Sequence, residues 1–230
     1  MTGPTLDPRV ARGMAIQLDR WRARLARGVA RVGWKIGIND PRLQHRLGLD
    51  RPVVGHLTLA TALVPGEPHS LAGGTKVGVE PEVAIHLGRD VPAGAERAVA
   101  AAAIIGLGAA LEVIDLDGPL DDVERIVAGS SFHRAVLIGP TNPRHAGGTL
   151  AGVTLRFSQN GDTLAEGPAA GDLPALVQLV ADTLGACGEG LRAGEWIISG
   201  ALARQAWVRP GDVVEVDLGP LGSLELRCAP

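Results

Sequence analysis

Two glutamates separated by one proline, Glu80-Pro81-Glu82, lie inside an otherwise apolar stretch running from Val79 to Leu87. Read with a period of two, Val79, Pro81, Val83, Ile85 and Leu87 share one face of a strand, while Glu80, Glu82, Ala84 and His86 share the other. Two carboxylates then project from the same side, about 7 Å apart along the chain. Carboxylates that close repel each other, and apolar neighbours raise the cost of burying them unless a cation sits between them. A divalent metal site meets that condition. A solvent-facing edge strand with two acids on its wet side meets it too, and this stretch alone leaves both readings open.

The chain has only two lysines, Lys35 and Lys76, and no tyrosine. Lys35 lies in the middle of the apolar segment Val32 to Ile38, where it either reaches out to solvent or faces a polar pocket. Leu111 to Ile114 reads as a strand, which sets Glu112 beside Ala110 and Ile114 as a third acid among apolar neighbours. Just before it, Gly106-x-Gly108 resembles the start of a dinucleotide-binding fingerprint. Leu111 stands where that fingerprint needs a third small residue, and a strand rather than a helix follows, so a dinucleotide site is set aside.

The elements that must position these groups follow from pattern. Residues 7–31 read as an amphipathic helix that opens at Asp7-Pro8 and carries Val10, Met14, Leu18, Trp21 and Leu25 at helical spacing. A strand over 32–38 and a short helix from Arg42 to Leu47 come next. Residues 48–59 read as loop, and 39–75 as connections forming a cover. Ala93 to Ile105 is an alanine-rich helix, and 119–129 is helical before a strand at 135–139. From 152 onward short strands dominate, with Asn160-Gly161 as a hairpin turn and one helix from Leu173 to Leu184. Strands at 195–200, 213–218 and 223–227 complete a curved mixed sheet or barrel-like core of α+β (mixed α/β) class. The expected division is an N-terminal helical and cover segment, 1–75, and a β-rich core, 76–230, within one integrated domain.

Composition narrows the function classes. With 230 residues, 46% hydrophobic and 20% charged, the chain is globular and large enough for a substantial core. A net charge of −3 leaves no basic surplus for nucleic acid. The longest apolar run, Ala98 to Ile105, is too short to cross a membrane, and no signal pattern opens the chain. Cys187 and Cys228 lie far apart without pairing context, which suits a reducing, cytoplasmic setting.

Four blocks occur in order: Gly33-Trp34-Lys35-Ile36-Gly37, Glu80-Pro81-Glu82, Ala110-Leu111-Glu112-Val113, and a closing run from Leu191 through Ser199-Gly200 to Pro210-Gly211-Asp212 and Leu221-Gly222-Ser223. Together they resemble the fumarylacetoacetate hydrolase superfamily, in particular its 2-keto-4-pentenoate hydratase and 4-oxalocrotonate decarboxylase branch. The resemblance implies a mixed β-roll with flanking helices. It implies Mg²⁺ or Mn²⁺ held by Glu80, Glu82 and Glu112, a donor set that hard oxygen chemistry also favours. It further implies a 2-oxo acid substrate bound through its carboxylate and 2-oxygen, with Lys35 near that carboxylate and Ser199-Gly200 receiving it. A homo-oligomer, or a complex with a related family member, is expected.

The chain departs from that pattern in two places. Arg51-Pro52-Val53-Val54-Gly55-His56 lacks the aspartate usual in the hydratases, and Ala128 to His133 replaces an Asp-Asn-Ala-Ser block. His56 and His133 are therefore the candidate acid–base groups, with His133 favoured by its place and by adjoining Ser131, which is a candidate substrate contact. His86 shares the carboxylate face, and Asp115 and Asp117 read as solvated loop acids. The leading expectation is a hydratase acting on a 2-hydroxydienoate. Its alternatives are a decarboxylase or carbon–carbon hydrolase of a related 2-oxo acid, and a non-catalytic partner subunit with a vestigial site.

Overall fold

The computed structural model describes residues 5–230. Helix α1, Pro8–Ala26, starts where the Asp7 carboxylate accepts the Arg9 amide proton at 2.8 Å. It buries Val10, Met14, Leu18 and Trp21 as one stripe. Strand β1, Arg31–Gly37, is followed by helix α2, Pro41–Leu47, and strand β2, Val53–Thr58. A two-residue strand β3, His69–Ser70, precedes the long strand β4, Val77–Leu87. Helix α3, Arg97–Ala103, runs directly into β5, Ile104–Asp115; helix α4, Val123–Ala128, and strand β6, His133–Ile138, come next. Strands β7, Thr154–Gln159, and β8, Asp162–Pro168, flank the Asn160-Gly161 turn, whose two residues take φ of 53° and 87°. Helix α5, Leu173–Ala186, and strands β9, Trp196–Ile198, β10, Ala206–Trp207, β11, Val213–Asp217, and β12, Ser223–Ala229, complete the chain.

Two sheets result. The larger runs β2-β1-β9-β4-β5-β6, with β10 paired to β4; the smaller runs β3-β12-β11-β7-β8. The central sheet is mixed, because β1 and β9 are parallel while β4 is antiparallel to both β5 and β9. Residues expected to be loop at 48–59 form β2 instead, and all six residues of that strand are buried. The alanine-rich helix is shorter than its composition suggests. It yields at Ile104, where paired β-branched side chains favour the strand. Gly106 and Gly108 are strand residues, and a Cβ at Gly108 would lie 2.7 Å from the Pro140 carbonyl oxygen, so close backbone approach explains the glycine. No helix among the described residues is long and apolar enough to cross a membrane.

Both faces of β4 are covered. Val79, Val83, Ile85 and Leu87 enter the main core, while Ala84 joins Leu57, Ala110, Val136 and Ile198 in a second, smaller cluster. These five side chains come from five of the six strands in that order, β1 excepted, and form an apolar floor on the face that also carries the glutamates.

The β1–β9 seam is held by a buried acid. Glu195 accepts from the Trp34 indole at 3.1 Å and from the Arg192 amide at 2.8 Å, and pairs with Arg31. Glu195→Ala strands these donors, and a loss of about 3 kcal/mol is expected in denaturant unfolding. A midpoint within experimental error of the parent would show that the seam does not depend on this acid.

Candidate metal and substrate site

Glu80 and Glu112 are direct register partners across β4 and β5, and Glu82 stands opposite Ala110. One carboxylate oxygen from each of Glu80, Glu82 and Glu112 can be chosen so that all three lie within 4.8 Å of one another. Glu82 and Glu112 are fully buried, and Glu80 is partly open. The edge-strand reading of Glu80-Pro81-Glu82 therefore fails, because the neighbouring strands and the apolar floor close this face.

Charge compensation is uneven. Lys35 reaches across β9 and β4 to place Nζ 2.6 Å from Glu112 Oε1, and it also donates to the Ser131 carbonyl at 3.1 Å. His133 donates from Nδ1 to the same Glu112 oxygen at 2.8 Å. Glu82 receives only the Gly200 amide proton, at 2.7 Å on Oε2. Among the described residues Glu82 Oε1 and Glu112 Oε2 are buried without any hydrogen-bond partner. Such atoms cost on the order of 1–3 kcal/mol each unless something fills the gap. Two orphaned anionic oxygens beside a third carboxylate fit a hard divalent cation.

The titration behaviour follows. Burial, reinforced by Glu112, pushes the Glu80 carboxyl up to about 7, against the pull of Lys35. Burial and the same neighbour raise Glu82 well above the usual carboxylate range. Glu112 is also penalised by burial, but Lys35 and His133 outweigh it and hold the acid ionised. Burial lowers His133 below the usual imidazole value even though Glu112 opposes the shift. With Nδ1–H committed to Glu112, the neutral ring accepts at Nε2 from the Thr61 hydroxyl, 3.0 Å away. Thr61 also lies 3.1 Å from the Thr58 carbonyl, so its single proton has two acceptors.

Ser130, Ser131 and Phe132 are consecutive residues with φ of 57°, 55° and 64°. Left-handed backbone in three non-glycine residues stores strain, and here it delivers the Ser131 carbonyl to Lys35. Two glycines leave the room required. A Cβ at Gly55 would meet Lys35 Cγ at 2.8 Å, and one at Gly37 would meet Ser131 Oγ at 2.2 Å. Ser199 and Gly200 are engaged inside the protein: the Ser199 hydroxyl accepts from the Val83 amide and donates to the Gly200 carbonyl, both at 3.0 Å, while the Gly200 amide serves Glu82. Their visible role is to orient the carboxylate.

Other sequence candidates lie elsewhere. His56 faces the Gln17 side-chain oxygen at 3.3 Å on the outer side of β2, and burial takes it down to about 3. His86 stacks on Trp196 with ring centroids 4.2 Å apart, at the far end of β4. Asp115 is no solvated loop acid, since it ends β5 and accepts the Thr75 and Lys76 amides at 3.0 and 2.7 Å. Thr61 had no sequence signal at all; only the fold brings it to His133. A cavity of about 960 Å³ between α1, α4 and the 130–133 turn meets the cluster only through His133 and Thr61.

Comparison with known proteins identifies the family and the fold. The fumarylacetoacetate hydrolase C-terminal family profile matches residues 36–229. The chain is 31% identical over 229 residues to a 2-keto-4-pentenoate hydratase of Paraburkholderia xenovorans, covering 95% of this chain and 83% of the relative. It is similar in fold to the 4-oxalocrotonate decarboxylase of Pseudomonas putida G7. The structure of that enzyme complexed with calcium and acetate gives a TM-score of 0.87 at 24% identity, over 95% of this chain and 85% of that one. Its complex with magnesium and adipate gives 0.87 at 23%, over 95% and 86%.

Proposed function

The chain belongs to the fumarylacetoacetate hydrolase family, and from that premise we propose that it is a divalent-metal-dependent lyase of 2-oxo acids, a hydratase that adds water to a 2-hydroxydienoate. The observation that carries this reading is the cluster of Glu80, Glu82 and Glu112 with two buried, unpartnered oxygens beside a buried lysine. The hydratase relative at 31% identity supports the reaction class.

Glu80, Glu82 and Glu112 would hold the ion, which we take to be Mg²⁺ or Mn²⁺ because every donor is a hard carboxylate oxygen. When bound, it supplies Lewis acidity that favours the enolate form of a 2-oxo acid. Lys35 contributes a fixed positive charge on the same side as Glu112 and attracts the substrate carboxylate. The apolar floor of Leu57, Ala84, Ala110, Val136 and Ile198 excludes water from beneath the cluster and strengthens each of these interactions. His133 holds a proton at Nδ1 against Glu112, and Thr61 can turn its hydroxyl from Nε2 to the Thr58 carbonyl, which leaves the Nε2 lone pair free to take a proton from a bound reactant. Ser131 keeps Lys35 aimed through its carbonyl, and Ser199 and Gly200 keep Glu82 aimed.

Decarboxylation of a related 2-oxo acid is the second reading. It is favoured by β2, which supplies Gly55 rather than an acid opposite Lys35 and so leaves few groups to activate water. We also assign the protein to the reducing cytoplasm, consistent with two unpaired cysteines, and to a homo-oligomer, consistent with the exposed Leu59 and Val64.

Incubation with Mg²⁺ and a panel of 2-hydroxydienoates, oxaloacetate and acylpyruvates tests the reaction. Loss of the enol absorbance without CO₂ is expected. Release of CO₂ would transfer the assignment to decarboxylation, and no turnover on any member would defeat both.

A further inference from the structure

The carboxylate face of β4 continues past Glu80 to its open end, and the second lysine stands there. The register of β10 against β4 pairs Trp207 with Gly78. A Cβ on Gly78 would lie 3.1 Å from both Gln205 Cγ and Trp207 Cζ3, so both side chains cover the face that bears Glu80 and Glu82. Lys76 folds onto the same surface, with Nζ 4.3 Å from the Trp207 ring centroid.

The mounting is rigid at both ends. The Lys76 amide donates to Asp115 at 2.7 Å, and its carbonyl accepts from Leu116 at 3.0 Å. The Trp207 carbonyl accepts from Gln159 at 3.1 Å. Among the described residues no carboxylate pairs with the Lys76 ammonium and no group hydrogen-bonds the Gln205 amide. An unpaired cation, an indole and a free amide thus form a row leading away from the three glutamates. Four strand positions separate Lys76 from Glu80, about 13 Å between Cα atoms. The lysine stem covers part of that gap and leaves a span suited to a short-chain diacid.

We propose that Gln205, Trp207 and Lys76 form the distal arm of the substrate site, and that the substrate is a 2-oxo acid bearing a second carboxylate at its far end. The inference rests on the metal-site reading above and narrows its substrate class. Charge explains the need for Lys76. Three carboxylates, a divalent ion and Lys35 sum to zero, and the first substrate carboxylate already takes the cluster negative, so a second carboxylate needs a cation of its own. Lys76 supplies it, exposed and held over the Trp207 ring.

The test compares 2-oxoadipate with 2-oxohexanoate, which has the same carbon count without the far carboxylate. Oxalate is the control that engages the metal end alone. Calorimetric titration of the protein with Mg²⁺ is expected to show about a tenfold preference for 2-oxoadipate. Lys76→Met should reduce that preference below about twofold with oxalate affinity unchanged, and Trp207→Leu should give an intermediate loss. Equal binding of the two acids by the parent overturns the proposal, as does a preference that survives Lys76→Met. Failure of oxalate to bind in the presence of Mg²⁺ would instead overturn the metal-site reading, and the distal arm with it.

Discussion

Glu82→Gln is expected to abolish the stabilisation that Mg²⁺ confers while leaving the metal-free protein at least as stable as the parent. Glu82 is fully buried, has one hydrogen bond, from the Gly200 amide, and carries a second oxygen with no partner. Glutamine retains the acceptor for Gly200 and can turn its amide toward the orphaned Glu112 Oε2, so a carboxyl whose ionisation burial opposes becomes a neutral amide and one unsatisfied acceptor gains a donor. At an Mg²⁺ concentration a hundred times the dissociation constant, the parent gains about 2.7 kcal/mol. For a chain of this size that amounts to a rise in Tm of about 5–10 °C. A thermal scan of the variant with and without Mg²⁺ should show none of it. A full metal response would remove Glu82 from the ligand set.

The same physics sets a pH dependence. Glu80 and Glu82 titrate above their unfolded values, so the folded, metal-free protein binds more protons than the unfolded chain, and their contribution is lost as pH rises through the folded pKa. His56 and His133 are displaced downward and run the opposite way, but only below the ordinary histidine value of 6.5. Above it, and below the ordinary thiol value of 9.0 from which burial raises Cys187 and Cys228, the glutamates act alone. In chelator, stability should therefore fall as pH rises from 6.5 through about 7, where Glu80 titrates, and beyond. Glu82→Gln should flatten that slope.

The glutamate strand was readable in the sequence because its side chains alternate, and alternation survives even when both faces are buried, provided one face is polar. Strand β2 shows the opposite case. Val53, Val54, Gly55, His56, Leu57 and Thr58 are buried without alternation, and the nearby Pro52 and Gly48 read as loop punctuation, so no period revealed the strand. Lys35 could be singled out because lysine is scarce here and rarely sits between tryptophan and isoleucine. Its target could not be read, since Glu112 is 77 residues away and is reached only across two intervening strands. The left-handed turn at Ser130 to Phe132 was equally hidden, because serine and phenylalanine give no local signal for positive φ. Nor does spacing connect Lys76 with Trp207. Local pattern names the ligand-bearing strands, whereas the groups around them are assembled by register.

Lys35→Met is expected to cost more than any other single change at the site. Methionine keeps the unbranched length and passes the same gap at Gly55, so packing is little altered and the lost charge dominates. Glu112 then stays buried with His133 as its remaining partner on Oε1, and the Ser131 carbonyl loses its lysine donor. Removing one partner of a buried pair costs about 3–5 kcal/mol, and the strained 130–132 turn loses one of its restraints. Mg²⁺ should restore part of the loss, because it brings positive charge to the same three carboxylates; a purely steric defect would show no such rescue. Activity should fall by about 10²- to 10³-fold in kcat even at saturating Mg²⁺, the scale for deleting a fixed positive or hydrogen-bonding group where negative charge develops. A variant that unfolds more easily yet turns over like the parent would leave Lys35 as a structural counter-ion only. A variant that needs more substrate but keeps its kcat would place the lysine in ground-state binding of the carboxylate, apart from stabilisation of the enolate.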